Sequence, residues 1–336
     1  MKLINLTGRF YVSLAITLLV SSMALAHEGK THKKQLADTL KAVNNTAAVP
    51  TIKKSVWGED YFPNSTLITQ DGEKVKFFDD LIKDKVVAIN FIFTSCVDSC
   101  PLETARMREV SKILGDRVGK DIYFYSVSID PEVDTPEVLK AYKEKFKIGD
   151  NWTFLTGDKA DIIDIRKKLG LYLEYLKTGE EEDLASHNLN LIIGNQSTGR
   201  WMKSSPFENP YVLASQLGDW LHNWKTVAKT RNSYANAPTL RQLAPGEKLF
   251  RTRCSSCHKF GEESVGPDLL AVTDNRDHAW LKRWLKEPDK MLQEKDPLAV
   301  ELFNQYKISM PNMRLTEQDV EDIISYMALE TKRLDL

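Results

Sequence analysis

Cysteine is scarce in this sequence of 336 residues, which holds four. Two structural disulfides would be the ordinary expectation for four cysteines in an exported chain. The four instead form two tight local pairs, Cys96 with Cys100 and Cys254 with Cys257, about 150 residues apart. Neither pair closes a loop long enough to stabilise a fold appreciably, so both read as chemistry. An excess of charge is also missing. Lysine plus arginine number 46 against 47 for aspartate plus glutamate, which leaves no electrostatic footprint for nucleic acid. Internal repeats and low-complexity tracts are absent as well.

The length exceeds that of one ordinary domain, and a hydrophobic content of 42% is enough for more than one core. The chain opens with Lys2 and Arg9, then a mostly apolar run from Phe10 to Val20, then Ala24-Leu25-Ala26. A basic start, an apolar stretch and a small-x-small site predict a secretory signal peptide over 1–26, with His27 as the new N-terminus. The protein is expected in the periplasm. The alternative is an uncleaved segment that anchors it to the inner membrane.

Residues 27–54 are polar and without period, a flexible leader by composition. A first domain is expected over 55–225. Val86 to Phe93 is an apolar run suited to a strand buried on both faces. Pro101 is placed to open a helix, with Met107, Val110 and Leu114 at helical spacing. Ile122 to Ile129 is the next strand, and Thr135-Pro136-Glu137 caps and starts the next helix. A short apolar segment at Trp152 to Leu155, a helix from about Asp158 to Leu169, strands at Leu171 to Leu176 and Leu189 to Ile193, and a helix near Tyr211 to Trp224 complete a βαβ-type sheet covered by helices. Residues 226–237 read as a linker. A small all-α domain over 238–334 follows, with a helix reaching Cys254, another around Trp280 to Leu285, and a last one after Thr316. Thr316 and Asp319 form a capping-box-like pair, and Leu315 is placed to staple onto Val320.

Cys254-Ser255-Ser256-Cys257-His258 is C-x-x-C-H. At this spacing two thiols on one helical turn each bond a porphyrin vinyl group while the next histidine reaches the iron. A zinc half-site is the rival, but zinc wants two further ligands at comparable spacing, and the other cysteines lie in a different, differently spaced pair. A sixth iron ligand is expected downstream. Met310 is the candidate, because Pro311 stiffens its loop and the capped helix fixes the exit. Met313 is the rival methionine, with core packing as its ordinary role, and His278 reads as a surface or core histidine. The Met310 segment, with Gly266-Pro267-Asp268-Leu269, resembles the class I cytochromes c over roughly 238–334. In that family the methionine commonly precedes a proline five residues before the leucine of the last helix, and Met310 stands five before Leu315. Histidine and methionine together close the iron and suit it to electron transfer.

Cys96-Val97-Asp98-Ser99-Cys100-Pro101 follows the buried strand and begins a helix. There the unpaired N–H groups and the helix dipole favour thiolate. Three residues separate the cysteines, one more than in thioredoxin-type motifs, so a metal between the sulfurs and a disulfide are both open. Soft thiolates favour copper, and one imidazole added to them makes a set competent for Cu(I) and Cu(II). His187 is the candidate imidazole. Asp98 reads as a solvated acid, and His27 and His32 as parts of the flexible leader.

The run Phe93 to Pro101, then Ser126 to Pro131 with Asp134 to Glu137, then Trp152 to Gly157, then Ser186-His187, resembles the Sco/SenC family of thioredoxin-fold copper proteins over about 55–225. The resemblance implies an α/β thioredoxin-like domain with a central sheet and flanking helices. It implies copper held by Cys96, Cys100 and His187. It also implies a partner, the copper-site subunit of a terminal oxidase whose dinuclear centre the protein helps assemble. The haem then exchanges electrons with the copper or dithiol site and with redox partners of its own. Ser186 and Asn195 stand where the family usually has aspartate, a loss that bears on orientation of the histidine or on partner docking. Two other functions fit the same residues: a thiol-disulfide oxidoreductase fed through the haem, in which Cys96 and Cys100 are catalytic, and a redox or copper sensor. A peroxiredoxin fits less well, because its proline and threonine positions hold Ile89 and Phe93.

Overall fold

The computed structural model describes residues 57, 58, 60–172, 177, 178, 181, 182, 189–222 and 242–334. The leader, the linker, Ser186 and His187 lie outside them. Residues 56–336 form one compact unit, built around two hydrophobic cores.

A seven-stranded mixed sheet makes the first core. Its strands are β1 (Thr66–Thr69), β2 (Lys74–Lys76), β3 (Val86–Ile92), β4 (Ile122–Ser128), β5 (Trp152–Gly157), β8 (Leu191–Asn195) and β9 (Arg200–Ser204), in the order β2-β1-β5-β4-β3-β8-β9. Strands β3, β4 and β5 run parallel, and β8 lies antiparallel to β3. A separate two-stranded ribbon pairs β6 (Lys177–Thr178) with β7 (Glu181–Glu182). All seven residues of β3 are buried, as a β-branched and aromatic run in a central strand requires.

Helix α1 (Ser99–Leu114) starts two residues before Pro101, so Cys100 sits inside its first turn. Helix α2 (Pro136–Lys145) is capped by Thr135, whose hydroxyl accepts from Val138 N. Helix α3 (Lys159–Lys168) is capped by Asp158. The expected segment at Trp152 proves to be a full strand, whereas Leu171 and Tyr172 lie in no strand and the rest of that predicted strand is outside the described residues. The predicted helix near Tyr211 is α4 (Pro210–Ser215) followed by a π-type turn over Gln216–Leu221.

The second core is helical. Helix α5 (Pro245–Leu249) continues as a π-type turn over Phe250–Cys254. Then come α6 (Val272–Asn275), α7 (His278–Lys286), α8 (Pro288–Gln293), α9 (Pro297–Tyr306) and α10 (Glu317–Leu334). The α10 cap is reciprocal: Asp319 Oδ2 accepts from Thr316 N at 3.0 Å, and Thr316 Oγ1 accepts from Asp319 N at 3.2 Å. Aspartate thus closes the box despite its short reach. Leu315 and Val320 are both buried in this core. Helices α5 and α10 pack closely at Gly246, where a Cβ would stand 1.9 Å from the Asp322 carbonyl oxygen.

The two cores are not independent beads. Val265 belongs to the core of the sheet domain, and Cys257 and Ile308 pack against it. Arg106 of α1 donates to the carbonyls of Arg251 and Thr252 in the turn that leads to Cys254. Arg108 donates to Ser264 Oγ, Lys259 pairs with Glu109, and Lys147 pairs with Glu263.

Candidate functional sites

The first site is the β3-to-α1 junction. Cys100 is fully buried, Cys96 is half-buried, and neither forms a disulfide. A hydrogen bond from the Cys100 thiol, helped by the backbone amides of Cys100 and Asp98 and by Ser99, holds Cys96 at about 5. Cys96 is therefore a thiolate at neutral pH. Cys100, burdened by that same bond and by burial, is pushed far up and stays a thiol. One accessible nucleophilic sulfur thus lies beside one buried protonated sulfur. Asp98 is exposed, as expected, and Val97 beside it is 65% exposed.

Two buried acids support this loop; residue spacing assigns no such role to Glu103, and Asp134 enters the sequence reading only as part of the Asp134 to Glu137 motif. Asp134 is fully buried. It accepts from Thr94 N at 3.1 Å, Thr94 Oγ1 at 2.5 Å and Ser128 Oγ at 2.6 Å, tying the residue two before Cys96 to the end of β4. Glu103, one helical turn after Cys100, is also fully buried. It ends a chain in which Trp152 Nε1 donates to Ser126 Oγ, Ser126 Oγ to Asn90 Oδ1, and Asn90 Nδ2 to Glu103 Oε1. Its other oxygen has no hydrogen-bond partner. Burial raises Glu103 to about 8. Three of the four members of this chain come from neighbouring strands, which is why spacing along the sequence cannot find it.

Asn195 caps a 3₁₀ turn through Thr198 N and donates to the Leu221 carbonyl. It pairs with Val86 at the start of β3, whereas Cys96 follows the end of that strand. Seven strand residues at about 3.3 Å each separate the two ends, so Asn195 is too far away to orient a ligand beside Cys96. The substitution for aspartate there touches turn structure and not the cysteine site.

The second site is a cleft, about 760 Å³ with its open mouth included, lined by Cys254, Cys257, His258, Pro267, Met310 and Met313 among others. An adjoining cavity of about 680 Å³ shares Cys254, His258, Pro267 and Met310 and extends to Ile323 and Met327 of α10. The structure brings together every residue expected of a haem c site. The N–H groups of Cys257 and His258 both bond the Cys254 carbonyl, placing the two sulfurs and the imidazole on one turn. His258 Nδ1 lies 3.0 Å from the Pro267 carbonyl, which only accepts, so Nδ1 carries the proton and Nε2 is left as a ligand. Burial lowers the His258 pKa, keeping the ring neutral. A Cβ on Gly266 would stand 2.6 Å from His258 Cε1; the absent side chain makes room for the ring. The donor set and the apolar walls fit a haem. His278 is exposed at the start of α7 and plays no part.

Among the described residues no cluster of three or more histidine, cysteine or acidic side chains is placed to hold a metal ion, and no helix is long and apolar enough to cross a membrane.

Fold and sites together define a mixed-sheet domain with a paired-cysteine site, joined to a haem c domain. Comparison with known proteins names both halves. Residues 57–222 match the SCO1/SenC family and residues 243–329 match cytochrome c. The chain thus carries a SCO1/SenC domain over residues 57–222 and a cytochrome c domain over residues 243–329. It is 35% identical to a SCO1 protein homolog of Bacillus subtilis over 38% of its length, and spans 65% of that relative. The solved cytochrome c domain of a Pseudomonas putida protein is 57% identical, matching 27% of this chain and 91% of that one, with a TM-score of 0.26. Bradyrhizobium japonicum ScoI, solved with copper bound, is 26% identical, matching 46% of this chain and 96% of that one, with a TM-score of 0.39.

Proposed function

We propose that this chain is an exported, periplasmic copper-binding protein that assists assembly of the dinuclear copper site of a terminal oxidase, and that its haem c domain exchanges electrons with the cysteine site. Copper is the cargo, held by Cys96, Cys100 and His187. Strand β8 runs antiparallel to β3, so Leu191 lies toward the end of β3 that leads to Cys96, and His187 precedes Leu191 by four residues in the sequence. A thiolate already formed on Cys96 supplies a soft donor without loss of a proton.

In the second domain Cys254 and Cys257 would hold the haem covalently, and His258 and Met310 would bind its iron. Such a group supplies one-electron transfer without an open coordination position. The protein's own part is to fix the imidazole through Pro267, to seat Met310 on a loop stiffened by Pro311, and to keep water out with Leu302, Ile323 and Met327.

The observation that carries the coupled reading is that Pro101, next to Cys100, lines the same cavity as Cys257 and His258. One haem carries one electron, which matches the Cu(II)/Cu(I) couple. Oxidising this thiolate–thiol pair to a disulfide releases two electrons and one proton and would need two haem turnovers. The test is to mix the pre-reduced, haem-loaded protein with Cu(II). Haem should be oxidised in the wild type and stay reduced in Cys96→Ser. Copper-independent oxidation, or none, overturns the coupling.

The accessible thiolate beside a buried thiol favours a second reading, a thiol-disulfide oxidoreductase that keeps target ligands reduced. It predicts disulfide exchange with substrate and copper binding no tighter than that of Cys96→Ser.

A further inference from the structure

Helix α1 belongs to the sheet domain, yet it presents its arginines to the other one. Arg106 is buried and bonds the carbonyls of Arg251 and Thr252, three and two residues before Cys254. Arg108 is 8% exposed. Its Nε donates to the Lys147 carbonyl at 3.3 Å and its Nη1 to Ser264 Oγ at 3.4 Å. The Ser264 N–H bonds the Gly266 carbonyl, and the Gly266 N–H bonds the Cys257 carbonyl. Arg108 is thus fastened to the loop that closes over the C-x-x-C-H turn.

Both of its hydrogen bonds go to neutral groups, and among the described residues no carboxylate lies within ion-pair distance of it. Glu109 and Glu262 act on Arg108 at longer range. Glu109 is itself bound by Arg106 and Lys259, so its charge is already answered. The fields of Arg106 and Arg108 both reach Cys257, and that of Arg108 also reaches Lys112. Four cations, Arg106, Arg108, Lys112 and Lys259, therefore gather with Glu109 and Glu262 behind the Cys257 turn, while Arg253 lines the cavity itself. A buried charge without a close partner acts through a medium of low dielectric and is screened little by salt.

Ferric haem carries one more positive charge than ferrous haem, so a buried cation beside it opposes oxidation. We propose that Arg108, supplied by the SCO1/SenC domain, raises the reduction potential of the haem bound in the second domain. The copper domain thereby makes its own haem a stronger electron acceptor than the cytochrome fold alone would provide. This rests on covalent haem at Cys254 and Cys257. Wild-type protein isolated without covalent haem would defeat that prior reading before any potential is measured.

The test is a spectroscopic redox titration of the full, haem-loaded chain as wild type, Arg108→Met and Arg108→Lys. At the ambient potential where wild-type haem is half reduced, Arg108→Met should lower the ferrous-to-ferric ratio at least threefold. A tenfold fall would correspond to 59 mV. Arg108→Lys, which keeps the charge but not the fork of donors, should stay within twofold of wild type. An unchanged ratio in a correctly ligated Arg108→Met overturns the proposal, as does an equal fall in both variants, which would mark a packing role. If Arg108→Met does not fold, Arg108→Gln decides, because it keeps a donor for Ser264 Oγ and removes the charge: a fall of at least threefold supports the proposal, and an unchanged ratio overturns it.

Discussion

Pro101 and Cys257 line one cavity, although 156 positions separate them in the sequence. The residue that follows the buried thiol of the first motif thus borders the turn that carries the second. Two sites that the sequence presents as separate are parts of one interior.

Alkylation of the wild-type thiols by iodoacetamide should follow Cys96 alone. Its rate should rise with a midpoint near pH 5 and level off above about pH 6, while buried, protonated Cys100 stays unmodified up to pH 9. Cys96 also affects stability. Its folded pKa is depressed from 9.0 to about 5, so between those values the unfolded chain holds the extra proton and this group's contribution grows as pH rises. Mass spectrometry of the modified peptides checks the first point; a midpoint near 9 would refute it.

Glu103 works in the opposite sense. Its folded pKa is raised from 4.5 to about 8, so the folded state holds the extra proton and its contribution declines as pH rises through that window. Glu103→Gln keeps an acceptor for Asn90 Nδ2 and removes the ionisation. The variant should match wild type near pH 4 and exceed it by on the order of 4 kcal/mol at pH 8, read from urea denaturation at both pH values.

Two glycines should resist even a methyl group. Gly266→Ala brings its Cβ against the His258 ring, so haem should still attach while the iron loses its normal ligand field, visible in the absorption spectrum. Gly246→Ala meets backbone at Asp322, which yields less than a side chain does. It should destabilise the protein by about 2 kcal/mol or more, seen as a lower Tm with the haem spectrum intact.

The two methionines of the 308–314 loop are separable. Met310→Ala should remove the spectral signature of methionine ligation and lower the reduction potential. Met313 packs partly buried against the helical core, and Met313→Ala should keep that signature at a cost of about 1–2 kcal/mol.

What the sequence reveals depends on how local the cause is. Strands β3 and β4, the capped starts of α2, α3 and α10, and the C-x-x-C-H turn are each written within a short window of residues. Strands β1 and β9 are different: Thr66–Thr69 and Arg200–Ser204 carry mixed side chains and become strands because β5 and β8 offer them backbone partners. The docking of α1 is hidden for another reason. Arginines on a helix ordinarily read as a solvated face, and only the neighbouring domain turns Arg106 and Arg108 into buried residues. Asp134 likewise looks like a turn residue until Thr94, 40 positions earlier, is seen to bind it.

Val265 is shared property, a residue of the cytochrome domain enclosed in the core of the sheet domain. Removing the second domain would therefore open a hole in the first, and the two halves are expected to lose structure in one transition rather than two.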